Sequence, residues 1–128
     1  NFLDVTIQQA NGALYAVNSN FRVRVPDSKA PNLSKYIGQT VTLGVRPEHL
    51  IERSRINGQV PQDSIVSVTV DVIELLGNEI FVYLTTDNNM TLTARMDPDL
   101  RLQRGQRIEV ATPLDKLHFF DPQTEVAL

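Results

Sequence analysis

Apolar and polar residues alternate along most of this chain, the pattern of half-buried β-strands. The alternation begins at Leu3–Gln8 and is followed by Asn11 and Gly12, a pair that strongly favours a tight hairpin. A proline-containing loop is predicted at Pro26–Pro31. Three further strands are predicted around these turns: Leu14–Val17, Phe21–Val25 and Val41–Val45.

The pattern resumes at Val66–Val72 after an irregular, exposed connection at Ile51–Ser64. Its phase slips at Ile73 and Leu75, which predicts a β-bulge there. Pro113–Lys116 is predicted to form one helical turn, and no segment has a helical period. The remaining predicted strands are Ile80–Leu84, Met90–Ala94, Ile108–Val110, His118–Phe120 and Glu125–Leu128. Short strands at this spacing indicate an all-β sandwich or barrel.

One segment of the chain occurs twice. Gly38–Leu50 (GQTVTLGVRPEHL) aligns without a gap with Gly105–Leu117 (GQRIEVATPLDKL), and both copies open with Gly-Gln and continue into an alternating strand. Internal similarity of this kind reports architecture directly. We therefore predict one domain over residues 1–128, built from two similar halves at about 1–52 and 64–128. Each half has the strand order of a small Greek-key barrel of the OB type.

Composition narrows the classes of protein. In this chain of 128 residues, a net charge of −3 and a sequence pI near 5.3 argue against a nucleic-acid-binding domain. The absence of cysteine excludes disulfides and thiolate metal ligands. No apolar run approaches the roughly 18 residues of a membrane-spanning helix. The chain opens at Asn1 without an initiator methionine, and we interpret it as a piece of a longer protein.

The residues that carry chemistry form no recognisable catalytic pattern. His49 and His118 stand outside any metal-binding spacing, and the six glycines stand singly rather than in a phosphate-binding loop. We predict no catalytic, cofactor-binding or metal-binding residue in this chain. Phe81 and Tyr83 share a strand face, where they either stack on bases or pack against protein.

The turn Arg46-Pro47-Glu48-His49 has two interpretations. Pro47 ends a strand, and a charged turn at a barrel corner either clamps the domain internally or contacts another chain. The residues alone leave both open.

Four segments resemble, in order, the accessory domain of the ATPase subunits of ABC importers, above all those for maltose and oligosaccharides. Leu43–Leu50 resembles the family's G-[IV]-R-P-E-H-L motif, and Asn1–Leu3 resembles its N-F-L junction after the nucleotide-binding domain. Val70–Glu79 resembles V-x-V-x-E-x-L-G-x-E, and Leu117–Thr124 resembles L-H-L-F-D-x-x-T, with Phe119 in place of the usual leucine. The family's domain is called TOBE, a tandem OB-like (MOP-like) barrel.

The resemblance implies a non-catalytic regulatory and dimerisation domain of a sugar-importer ATPase. It implies that ATP and magnesium are bound by a nucleotide-binding domain upstream, and that the parent lies in the cytoplasm against the membrane. The implied partners are a second copy of the domain, the permease subunits and, in some members, a regulatory protein; nucleic acid is not among them. The residues that it marks as interface or structural positions are Arg46, Pro47, Glu48, His49, Leu76, Gly77, Asn78, Glu79, His118, Phe119, Phe120 and Asp121.

Two other hypotheses belong to different classes. Tandem modules of the related molybdate-binding superfamily hold a small oxyanion, so the domain is alternatively a small-ligand module for an oxyanion or a sugar. Only three lysines, Lys29, Lys35 and Lys116, are present to serve such a site. A single-stranded nucleic-acid-binding barrel is the third hypothesis, and the acidic pI argues against it.

Overall fold

A computed structural model describes residues 1–128 and confirms the all-β prediction. The strands are β1 (Phe2–Ala10), β2 (Ala13–Val17), β3 (Arg22–Arg24), β4 (Thr40–Gly44), β5 (Ile51–Glu52), β6 (Val66–Leu76), β7 (Glu79–Thr85), β8 (Thr91–Met96), β9 (Arg107–Ala111) and β10 (His118–Phe120). One α-helical turn, α1, covers Ala30–Leu33. Turns of 3₁₀ helix lie at Ser34–Tyr36, Pro47–His49, Arg53–Arg55, Gln62–Ser64, Pro98–Leu100 and Leu114–Lys116.

The chain divides into two compact units. Unit 1 comprises residues 1–45 and 113–128, and its five-stranded antiparallel sheet has the order β10-β4-β1-β2-β3. Unit 2 comprises residues 46–112, and its sheet has the order β5-β9-β6-β7-β8. The two sheets therefore have the same number of strands and the same kind of pairing.

Alternation buries one face of each strand. In β1 the side chains of Leu3, Val5 and Ile7 are buried, and the hairpin to β2 turns at Asn11 and Gly12 with φ of 53° and 78°. In unit 2 most of the buried side chains come from four strands. They are Val66, Val68 and Val70 of β6, Ile80, Val82 and Leu84 of β7, Leu92, Ala94 and Met96 of β8, and Ile108 and Val110 of β9.

The sequence repeat is also a structural repeat. Gly38 and Gly105 have φ of 82° and 85°, and each donates its N–H over 2.7 Å to a strand carbonyl, that of Ile7 in unit 1 and that of Val70 in unit 2. Only glycine adopts this backbone conformation without steric cost. The two Gly-Gln turns therefore start β4 and β9 in the same way.

The strands that follow the two repeat copies are exchanged. β10 follows the second copy but pairs with β4 of the first, with His118 opposite Gly44. β5 follows the first copy but pairs with β9 of the second, with Ile51 opposite Ala111. The compact units thus differ from the expected halves 1–52 and 64–128, because each repeat copy ends by passing its chain into the other unit's sheet.

Four local predictions need correction. The connection predicted to be irregular at Ile51–Ser64 begins with β5 and contains two turns of 3₁₀ helix. The chain forms no final strand at Glu125–Leu128, where a single bridge joins Phe120 to Ala127. The β-bulge lies between Val70 and Val72, earlier than predicted. The loop after β3 contains α1, which is too short to show a helical period. The helical turn predicted at Pro113–Lys116 is confirmed as a turn of 3₁₀ helix at Leu114–Lys116.

None of the helices combines the length and the apolar character needed to cross a membrane.

Candidate functional site

The most distinctive surface of unit 2 is the solvent-facing side of β6, β7 and β8, which we call the outer face. The strand register sets its rows. Val72 lies opposite Tyr83, which lies opposite Thr93; Glu74 lies opposite Phe81, which lies opposite Arg95; and Leu76 lies opposite Glu79. Directly opposed residues project from the same side of a sheet. These eight residues therefore share one surface.

The β-bulge creates this surface. Before the bulge, Val70 lies opposite Leu84 and both side chains are buried. The extra residue, Asp71, shifts the register, so that Val72 lies opposite the partly exposed Tyr83 instead. A one-residue shift moves every following side chain to the opposite face of a strand. The bulge consequently places Val72 and Leu76 in solvent, where they are 45% and 54% exposed.

Arg95 joins two of the predicted motifs on this face. Its Nε lies 3.0 Å from Oε2 of Glu79, and its Nη2 lies 4.0 Å from Oε2 of Glu48. Glu48 belongs to the Arg-Pro-Glu-His turn and Glu79 to the β6–β7 hairpin. Sequence reasoning missed Arg95, although its odd position beside the buried Ala94 marks it as a residue exposed on the strand.

The Arg-Pro-Glu-His turn is a closed local structure. The N–H of His49 donates to the carbonyl of Arg46 over 2.9 Å, and that of Leu50 donates to the carbonyl of Pro47 over 3.3 Å. A hydrogen bond from its own backbone N–H, followed by the charge of Arg95, lowers the pKa of Glu48. The buried Nδ1 of His49 has no hydrogen-bond partner. A charged Glu48 at neutral pH therefore faces Arg95.

An aromatic pair stands beside the apolar residues. Phe81 and Tyr83 are both partly exposed on β7. A hydrogen bond between the Tyr83 hydroxyl and Glu74 raises the pKa of Tyr83. Aromatic residues that are half exposed and carry a polar group at one end are enriched at protein–protein contacts.

The segment Leu117–Thr124, which resembles the L-H-L-F-D-x-x-T ending of the family, lies in unit 1. Phe119 is buried at 1% exposure, whereas Phe120 packs on Phe2 with ring centroids 6.1 Å apart at an interplanar angle of 67°. Asp121 accepts hydrogen bonds from the N–H of Gln123 over 2.8 Å and the N–H of Thr124 over 2.9 Å.

The hydroxyl of Tyr36 also donates to Asp121, over 2.8 Å. The hydrogen bond from the N–H of Thr124, then that from Tyr36, lowers the pKa of Asp121 to about 2. This motif therefore fastens the segment after β10 to the turn before β4.

The six glycines lie apart, and none belongs to a glycine-rich loop between a strand and a helix. No group of three or more His, Cys, Asp and Glu side chains is placed to hold a metal ion.

The two five-stranded sheets describe a tandem OB-like module, and comparison with known proteins gives its family. The family model for the TOBE domain matches residues 43–120, and the family model for the MalK OB fold domain matches residues 1–50. The chain belongs to the TOBE domain family.

Several curated proteins are similar to this chain. An uncharacterized ABC transporter ATP-binding protein, YurJ of Bacillus subtilis, is 35% identical over all of this chain and 35% of its own length. The oligosaccharides import ATP-binding protein MsmX of the same species is 39% identical over 81% of this chain and 28% of its own length. The trehalose/maltose import ATP-binding protein MalK of Thermococcus litoralis is 27% identical over all of this chain and 34% of its own length. The chain thus spans about a third of the length of these relatives.

A solved structure shows the fold. The cytoplasmic molybdate-binding protein ModG superposes with a TM-score of 0.72 over 95% of this chain and 96% of that chain, at 14% identity. The tandem OB-like prediction is confirmed by this similarity. At such low identity the likeness concerns the fold alone.

Proposed function

We propose that this chain is the regulatory and dimerisation domain of the ATP-binding subunit of an ABC sugar importer, and that it carries no catalytic site itself. Two of the relatives are named for the import of oligosaccharides and of trehalose or maltose, and both are ATP-binding proteins about three times longer. ATP hydrolysis would then belong to another part of such a protein. The domain would lie on the cytoplasmic side of the membrane, near the permease subunits.

The observation that carries the proposal is the outer face of unit 2. It exposes Val72 and Leu76 next to two aromatic rings, and it is edged by the Glu48–Arg95–Glu79 cluster. Glu74 lies between Val72 and Leu76 on β6, so the exposed apolar and aromatic side chains alternate with charged ones. Aromatic residues are enriched at specific protein interfaces, and charged groups there set the pairing of the partners.

A contact between two copies through this face has a defined role in a two-site ATPase. A second interface that does not depend on ATP keeps two subunits at high effective concentration when their ATP sites separate. A regulatory protein that binds the same domain would then influence how the subunits open and close.

The proposal is tested by the association state of the chain. Sedimentation velocity from about 10 μM to 1 mM is expected to show a reversible dimer. Leu76→Lys should weaken it at least about tenfold, because the substitution removes an apolar side chain from the interface and forces a charged group to lose its water. Ser67→Lys, at an exposed position of the same strand that lies opposite Glu109 of β9 and is not one of the eight residues in the rows above, serves as the matched control. A monomer at every concentration, or equal weakening by both variants, would refute the proposed interface.

The small-ligand alternative, an oxyanion or sugar module, has the similarity to ModG behind it only as a similarity of fold. Thermal shift with molybdate, sulfate and maltose distinguishes it from the dimerisation proposal, because a bound ligand raises the melting temperature by mass action.

A further inference from the structure

A groove in unit 1 has a chemistry unrelated to the outer face of unit 2. It measures about 490 Å³ and lies where β1, β4 and β10 meet the turn after β10. That volume falls in the range of small-molecule sites. Its lining residues are Phe2, Thr42, Phe120, Asp121, Pro122 and Glu125.

Gly44 makes room for the aromatic part of the groove. A Cβ at this position would lie 2.8 Å from Cε2 of Phe120 and 3.5 Å from Cε1 of Phe2, so the bare backbone lets both rings fold over β4. The rings meet edge to face at 67°, and Phe2 remains 76% exposed. Two phenyl rings at an angle therefore form a corner that opens to solvent.

Carboxylates complete the groove. The turn after β10 closes through the N–H of Glu125, which donates to the carbonyl of Asp121 over 2.8 Å, and this returns the Glu125 side chain to the groove. Asp4 lies on the same face of the sheet, because it is opposite Thr42, which is opposite Phe120. No lysine or arginine lines the groove.

We propose that this groove binds a small organic cation with an apolar shell, of the quaternary ammonium class. A cation over an aromatic face is attracted by the ring quadrupole, and aromatic corners with nearby carboxylates recognise methylated ammonium groups. The charge of the groove excludes an oxyanion. A neutral sugar fits less well, since the lining side chains offer carboxylate acceptors and a single hydroxyl donor, that of Thr42.

Titration of the ¹⁵N-labelled chain with choline chloride tests the proposal, with sodium chloride at equal ionic strength as reference. Saturable shifts are expected at the amides of Thr42, Phe120 and Glu125. The neutral isostere 3,3-dimethyl-1-butanol has the same shape without the charge, and we expect it to bind at least about tenfold more weakly.

Two variants measure separately how much the aromatic ring and the carboxylate charge contribute to choline binding. Phe2→Leu keeps an apolar side chain but removes an aromatic face, and Glu125→Gln keeps the size but removes a charge. Each is expected to weaken choline binding at least about threefold. Asp115→Asn, an exposed carboxylate of unit 1 outside the groove, is the matched control and should leave binding unchanged. Both groove positions are exposed, and the amide spectrum of each variant reports whether its fold is retained.

Several results would overturn the proposal. These are equal binding of the neutral isostere, no saturation by about 100 mM choline, or equal loss in Asp115→Asn. Shifts of the groove amides that follow protein concentration instead of choline would assign the groove to a second copy of the chain. The result is independent of the proposed dimerisation, because all the groove residues lie in unit 1 and all the outer-face residues lie in unit 2.

Discussion

Arg95 Nε lies 3.0 Å from Glu79 Oε2, and this ion pair fastens the second strand of the β6–β7 hairpin to its neighbour β8. The same guanidinium reaches Glu48 at 4.0 Å, so one arginine orders two segments that are 31 positions apart in the sequence numbering, Glu48 and Glu79. Pairs this exposed contribute little to stability. Their role on the outer face is therefore to set its charge pattern.

Replacing Arg95 with glutamine should raise the pKa of Glu48, because the variant removes the attractive charge and leaves the backbone hydrogen bond in place. Arg95→Lys keeps a positive charge and should give a smaller increase. Carboxyl chemical shifts recorded against pH measure both values. We expect the melting temperature to change by no more than about 3 °C. An unchanged pKa of Glu48 in Arg95→Gln would contradict the geometry described.

Asp121 should make stability depend on pH in acid. Its pKa is lowered to about 2 in the folded chain, below the ordinary value of about 3.9. The unfolded chain therefore takes up this proton first, and the contribution of Asp121 is complete above about pH 4 and lost as pH falls through about 2. Urea unfolding of the chain and of Asp121→Asn should give free energies that differ most above pH 4 and converge towards pH 2.

Tyr36→Phe gives an internal check on that result. It removes the hydroxyl donor of Tyr36 and leaves the backbone donors of Gln123 and Thr124 and the side chain of Thr124. The pKa of Asp121 should therefore rise only part of the way to its ordinary value. If Tyr36→Phe and Asp121→Asn flatten the acid profile equally, the backbone hydrogen bonds contribute nothing.

The alternation of residues was sufficient to predict most strands, because one face of each strand is buried and the period of two is explicit in the sequence. The hairpin at Asn11 and Gly12 could also be predicted, because the Asn-Gly pair strongly favours a tight hairpin turn. The position of the bulge could not be predicted from the sequence in this way. The register breaks at Asp71, but the hydrophobic phase becomes visible only at Ile73.

Pairing between distant strands was beyond the sequence pattern. Nothing local in His118–Phe120 states that its partner is β4 rather than the adjacent β9. The same limit applies to the site. Motif resemblance marked Glu48 and Glu79, but Arg95 connects them only through the register of β7 and β8. The interface role of the twelve marked residues remains a prediction.

The Gly-Gln turns of the two repeat copies should respond alike to substitution. Gly38→Ala and Gly105→Ala each place a Cβ on a backbone with φ above 80°, which costs about 1–2 kcal/mol. Gln39→Ala is the control, because Gln39 takes part in the turn through its backbone, with its N–H donating to the carbonyl of Tyr36 and its carbonyl accepting from the N–H of Ile7. Chemical unfolding measures the three variants. A cost at only one of the two glycines would show that the turns are not equivalent.

The exchanged strand β10 gives the strongest prediction for stability. Phe119 is buried at 1% exposure and lies opposite Leu43 of β4, whereas its neighbour Phe120 is only partly buried. Phe119→Ala should therefore cost about 3–5 kcal/mol, the range for a large buried aromatic residue. Phe120→Ala should lower the free energy of unfolding clearly less, and the two variants differ only in which face of one strand loses its ring.

Truncation after Thr112 removes β10 altogether, so the amides of β1 and β4 should lose their protection from hydrogen exchange. Full protection of β4 in the truncated chain, or equal costs for the two phenylalanines, would contradict the assignment of residues 113–128 to unit 1.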